Sequence, residues 1–127
     1  MRIAIDGREL AGHATGVGRY LAEVLRAWND LPEAPAHEFV VCTHAPLALP
    51  ALPRLRLSTV VSPGAGGTWW EQTALPRLVR AAKPDVLFAP AYTAPIRCRD
   101  RVWPCSRPMR SWSSRFGNGA ARRCFMW

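Results

Sequence analysis

Residues 1–28 read MRIAIDGRELAGHATGVGRYLAEVLRAW, and a change of periodicity inside this stretch decides the fold class. Arg2 to Asp6 is a short apolar run ending in an acid, the pattern of a buried strand with its carboxyl end at a surface. A loop with glycines at 7, 12, 16 and 18 follows. Then Val17, Tyr20, Leu21, Val24, Leu25 and Trp28 recur at i, i+3, i+4, i+7, i+8 and i+11, which puts them on one face of a helix. Thr15 has the hydroxyl of an N-cap, and Asn29-Asp30-Leu31-Pro32 supplies the stop. Strand, glycine loop, helix is the opening unit of a parallel α/β sheet.

The unit is repeated downstream. Glu38 to Thr43 is a second, largely apolar strand, as a central parallel strand should be. Residues 45–53 hold three prolines and form a loop. Leu55 to Val61 alternates before turning apolar, which fits an outer strand, and Pro63 to Gly67 is a flexible connection. Residues 68–82 predict a helix capped by Thr68, burying Trp70, Leu75, Leu78, Val79 and Ala82. Pro76 should kink or divide it. Both Trp69 and Trp70 read as helix core rather than as a platform for a sugar ring. Lys83-Pro84-Asp85 ends the helix, and Val86 to Ala89 is a short all-apolar strand. Four strands and two helices make an incomplete Rossmann-like, doubly wound parallel sheet: α/β, but half a domain.

Composition breaks near Arg97. Residues 1–96 carry nine Lys and Arg against eight Asp and Glu, whereas 97–127 carry eight arginines against Asp100 alone. Nearly all of the net charge of +8 therefore lies in the last quarter. Cys98, Cys105 and Cys124 lie there too, with Trp103, Trp112 and Trp127, and no helical or strand period. The three cysteines lack paired Cys-x-x-Cys spacing, which argues against a metal site. Two explanations lead: an out-of-frame extension, or a basic arm whose arginines interleave with aromatics for nucleic acid or a membrane surface. Hydrophobic content of 49% excludes disorder throughout. The first residues do not form a signal peptide, and no apolar run approaches the ~18 residues of a membrane span. A cytoplasmic protein is expected, with peripheral contact at the inner face of the membrane as the variant.

Chemistry is expected at the glycine loop. Helix N-termini present free backbone N–H groups and partial positive charge, and glycine lets a phosphate or sugar approach them. Arg19 adds a forked cation. As a bare pattern the loop is weak. Gly-x-Gly-x-x-Gly fails because Leu21 stands at the third glycine, and there is no Gly-Lys-Ser/Thr.

Two spaced segments sharpen it. The opening MRIAIDGREL…TGVGRYLAEVLRAW resembles that of bacterial glycosyltransferases of family 4, retaining GT-B enzymes that include many mannosyltransferases. The match is at Gly16 to Tyr20. The segment WEQTALPRLVRAAKPDVLFAPAYTAP is similar to the same family at Trp70-Glu71-Gln72 and at Asp85 to Pro90. The resemblance covers most of residues 1–96 and implies an acceptor-side Rossmann domain. It implies transfer of a hexose from a nucleotide sugar to a glycan or lipid-linked acceptor in polysaccharide biosynthesis, with no cofactor and no obligatory metal. Gly16, Val17, Gly18 and Arg19 would then face the cleft near donor phosphates and acceptor, with Asp6, Arg8 and Tyr92 as weaker members. No catalytic residue is assigned. Asp6 has the alternative of anchoring its loop, and His13 reads as solvent-exposed. The family would continue with a His-Asp pair and a second Rossmann domain, neither of which appears after Pro95, so the 127 residues are expected to be inactive alone. The competing readings are a small basic nucleic-acid-binding protein using the arginine-rich segment, and a non-catalytic α/β interaction module.

Overall fold

The computed structural model describes residues 1–12, 15–91, 93, 95 and 98, and the backbone of 102–104. Strand β1 (Arg2–Asp6) is followed by a 3-10 turn (Arg8–Leu10), helix α1 (Gly16–Asp30), a second 3-10 turn (Ala34–Ala36) and β2 (Glu38–Thr43). Then come β3 (Arg56–Val61), α2 (Gly67–Ala82), β4 (Val86–Ala89) and β5 (Val102–Pro104). The sheet order is β3-β2-β1-β4-β5, and every pair is parallel. This is the α/β architecture expected from the sequence.

The two helices cover opposite faces because neighbouring strand residues point opposite ways. Ile3, Ile5, Phe39, Val41, Val86 and Phe88 turn toward α1, where Leu21, Leu25 and Trp28 meet them. Trp28 fills the space between two strands, its ring 5.5 Å from Phe39 and 5.3 Å from Phe88. Ala4, Val40, Cys42 and Leu87 face the other way, onto Trp70, Leu75, Val79 and Ala82 of α2. The proline-bearing segment between β2 and β3 is no helix. It lays Leu47, Leu49, Leu52 and Leu55 along the α1 side of the core.

Helix ends follow local chemistry, with one correction. Thr15 caps α1 as its hydroxyl predicts, accepting from the Gly18 N–H at 2.9 Å. Thr68 does not cap α2. The helix begins at Gly67 behind Gly66, both at φ 71°, and no side chain caps it. Glycine reaches that left-handed backbone without strain, so the helix starts two residues earlier than a Thr68 cap would place it. Pro76 is buried inside α2 and does not divide it. Lys83 takes the left-handed C-cap at φ 48° and returns its N–H to Val79 O at 3.0 Å, before Pro84.

Two further differences concern tryptophan and the sheet edge. Trp70 is buried at 4% exposure, but Trp69 is 81% exposed, because adjacent helix positions stand about 100° apart and only one can face the sheet. The composition break near Arg97 does not end the sheet. Residues 102–104 pair with β4 in the register Leu87↔Val102, Phe88↔Trp103 and Ala89↔Pro104. Proline is tolerated there because β5 is the last strand of the described sheet, with a partner strand on one side only. The rest of the arginine-rich segment lies outside the described residues. Among the described residues no helix is long and apolar enough to cross a membrane.

Candidate functional site

In an open parallel sheet, ligands bind beyond the carboxyl ends of the strands, where the strand order reverses. Here β1 is flanked by β2 on one side and β4 on the other, so the reversal lies between β1 and β4. The loop after β1, the start of α1, the start of α2 and the loop after β4 all rise from that edge.

The glycine loop stands at the start of α1. Gly18 N–H is taken by Thr15 Oγ1, and the first intrahelical bond runs from Arg19 N to Thr15 O at 3.0 Å. Helix geometry leaves the Gly16 and Val17 N–H groups without an intrahelical acceptor. The four residues differ in surroundings. Gly16 and Arg19 are exposed, Val17 is half-buried and Gly18 is buried. A Cβ on Gly16 would meet nothing within 4 Å. A Cβ on Gly18 would lie closer than 3.0 Å to the carbonyl oxygen of Glu9 and 3.2 Å from its carbonyl carbon. Gly18 is therefore demanded by close packing of the 3-10 turn on α1, whereas Gly16 leaves open space at the helix mouth. Among the described residues Arg19 has no ion pair.

Asp6 and Arg8 form a closed cluster with two residues the sequence reading did not single out as site residues. Asp6 is 1% exposed, Arg8 7% and Glu71 0%. Arg8 Nη1 donates to Glu71 Oε2 and reaches Gly67 O at 3.4 Å; Nη2 donates to Thr93 Oγ1 at 3.1 Å. The Thr93 hydroxyl in turn donates to Glu71 Oε2 at 2.9 Å. Asp6 Oδ1 accepts from the Arg8 backbone N–H at 3.3 Å, the loop anchor anticipated for it. Arg8 thus ties the loop after β1 to the first turn of α2 and to the loop after β4. Glu71 was legible in principle: it shares the stripe of Leu75, Val79 and Ala82 at i, i+4, i+8 and i+11. A charged residue on a buried stripe requires a partner. Thr93 carried no signal.

Electrostatics follow burial. Desolvation raises the Asp6 carboxyl from 3.8 to about 6. The Arg8 charge and its backbone N–H pull down, while Glu71 and Glu9 add a smaller upward push. Burial also pushes the Cys42 thiol up to about 12, helped by Asp6 across the β1–β2 register. It is a neutral core thiol at physiological pH, without nucleophilic character.

His44, at the end of β2, sets its ring edge-on to Trp70 at 6.0 Å and lies against Gly66, where a Cβ would come within 3.1 Å of it. Tyr92 and His13 lie outside the described residues. No protein-family model matches the chain, and comparison with curated proteins and with solved structures found no match.

Proposed function

We propose that residues 1–96 form the acceptor-side part of a retaining glycosyltransferase, moving a hexose from a nucleotide sugar to a glycan or lipid-linked acceptor. One observation supports this above the rest: an exposed Gly16 with open space at its Cβ position and an exposed Arg19, without an ion pair among the described residues, stand at a helix N-terminus on the carboxyl edge of the sheet. Departure of a nucleoside diphosphate requires its growing negative charge to be met by fixed cations and N–H dipoles. The start of α1 and Arg19 supply one such group. In this reading the remaining cations belong to a second Rossmann domain.

The experiment is hexosyl transfer from a panel of nucleotide sugars, in an enzyme that joins residues 1–96 to a donor domain. Arg19→Ala removes a charge-assisted contact of about 1.5–3 kcal/mol, so transfer efficiency should fall roughly ten- to a hundred-fold with the melting temperature unchanged. Full activity in that variant removes Arg19 from the site.

A second reading rests on the eight arginines of 97–127: a basic arm that binds nucleic acid. Its signature is retention in a gel shift that weakens steeply with added salt, because each phosphate contact releases a counterion.

A further inference from the structure

Trp69 is not core, so the role set aside for it in the sequence, a platform for a sugar ring, comes back into view. It stands in solvent in the first turn of α2, at the carboxyl edge of the sheet. Single exposed hydrophobics are ordinary on a protein surface; what sets Trp69 apart is its seat. The backbone on both sides is tied down. Arg8 Nη1 donates to the Gly67 carbonyl at 3.4 Å, and the Trp70 indole N–H donates to Ser62 O at 2.8 Å. Glu71 is held by Arg8 and Thr93, and the Thr73 hydroxyl donates to the Trp69 carbonyl at 2.7 Å. The indole therefore projects from a fixed turn, and a ligand that stacks on it has little backbone to order.

The surroundings select the kind of ligand. Trp69 is the one exposed large hydrophobic of α2. A specific protein interface takes about 800 Å² from each partner, several times what one indole offers. At i+3 and i+4, its neighbours on the helix surface, stand Gln72 and Thr73, polar and uncharged, rather than the cations that an anionic membrane surface attracts. A Cβ on Gly67 would meet nothing within 4 Å, and Thr68, which does not cap the helix, is exposed beside it. An apolar plane bordered by hydroxyl groups and accessible backbone matches a pyranose, which has a C–H face and a rim of hydroxyls. We propose that Trp69 is the stacking platform for a hexopyranose ring of the acceptor, with the Thr68 hydroxyl at its rim. The identification of that sugar with the acceptor rests on the transfer reading above. It puts the acceptor on the α2 side of the crevice and the donor phosphates at Gly16 and Arg19 on the α1 side.

The test is a titration of the full chain with the methyl glycosides of mannose, glucose and galactose, followed on the indole N–H signals by NMR. The Trp69 signal is assigned by its loss in Trp69→Phe. It should shift saturably with at least one glycoside. Stacking takes on the order of 80 Å² of one indole face out of water, so Trp69→Ala should weaken binding by up to roughly thirty-fold. Its melting temperature should not change, and Trp69→Phe should bind with intermediate strength. A Trp69 signal unmoved by all three glycosides overturns the proposal, and one that moves only with anionic lipid vesicles replaces it with a membrane contact. In the enzyme that joins residues 1–96 to a donor domain, Trp69→Ala should raise the acceptor KM and leave the donor KM unchanged. Transfer with an unaltered acceptor KM overturns the platform and leaves the transfer reading standing. Saturable stacking on the full chain, with no transfer by the joined enzyme, supports the platform and sinks the transfer reading alone.

Discussion

The two glycines of the Gly16-Val17-Gly18 loop should respond to the same substitution with opposite signs. At Gly18 an added Cβ falls closer than 3.0 Å to the Glu9 carbonyl oxygen and 3.2 Å from its carbon. These are backbone atoms of a 3-10 turn that also carries Arg8, so they cannot rotate away as a side-chain end would. Gly18→Ala must push the turn off α1, and overpacking of this kind costs about 1–3 kcal/mol. At Gly16 the Cβ enters open space and the backbone is already helical. There Gly16→Ala only removes unfolded-state freedom, a gain of up to about 0.5–1 kcal/mol. Urea titrations followed by circular dichroism measure both. The expected order of midpoints is Gly16→Ala at or above the unaltered chain and Gly18→Ala well below it, with unchanged slopes. A Gly18→Ala protein as stable as the original would refute the packing argument, and with it the distinction between a structural and an accessible glycine. The transfer reading then concerns Gly16: Gly16→Val should fold normally yet lose hexosyl transfer in the joined enzyme.

Other consequences are simpler to measure. Thr15→Ala removes the acceptor for Gly18 N–H, and with it the hydroxyl bond to Glu9 Oε2 at 3.0 Å; a loss of about 1 kcal/mol in chemical denaturation is expected. Glu71→Ala takes the Nη1 carboxylate from the buried Arg8 and leaves Asp6 at 3.4 Å as its remaining buried ion-pair partner; it should cost up to about 3–5 kcal/mol, whereas a loss below about 1 kcal/mol would mean that Asp6 alone satisfies the guanidinium. Asp6 titrates near 6 when folded against 3.8 as its ordinary value. The folded chain therefore holds this proton more tightly than the unfolded one. Its stabilising contribution is complete below about pH 4 and disappears as pH rises through about 6, a difference of at most about 3 kcal/mol. Stability measured across that window should include this downward step with rising pH, and Asp6→Asn should remove it.

Periodicity alone was enough for the α/β class, for both helices and for all four strands up to Ala89. A two-residue or 3.6-residue repeat is imposed by which faces must leave water, and that is written locally. The Thr15 cap was legible for the same reason, since a hydroxyl two or three residues before free N–H groups satisfies them wherever the helix sits. The start of α2 was not, because Gly66 and Gly67 both take a left-handed backbone, with Gly66 close against the His44 ring, and the helix starts there rather than behind Thr68. Helical spacing put Trp70 on the buried stripe, but reading Trp69 as core as well failed, because adjacent helix positions cannot both face one sheet. The candidate site divides along the same line. Gly16 to Arg19 announced itself by position between a strand and a helix. That Gly18 is a packing residue, and that Arg8 closes on Glu71 and Thr93, depended on chain segments about sixty to eighty-five residues apart meeting at one sheet edge. A buried charge is stable only beside its partner, and the strand order β3-β2-β1-β4-β5 decides which residues become neighbours.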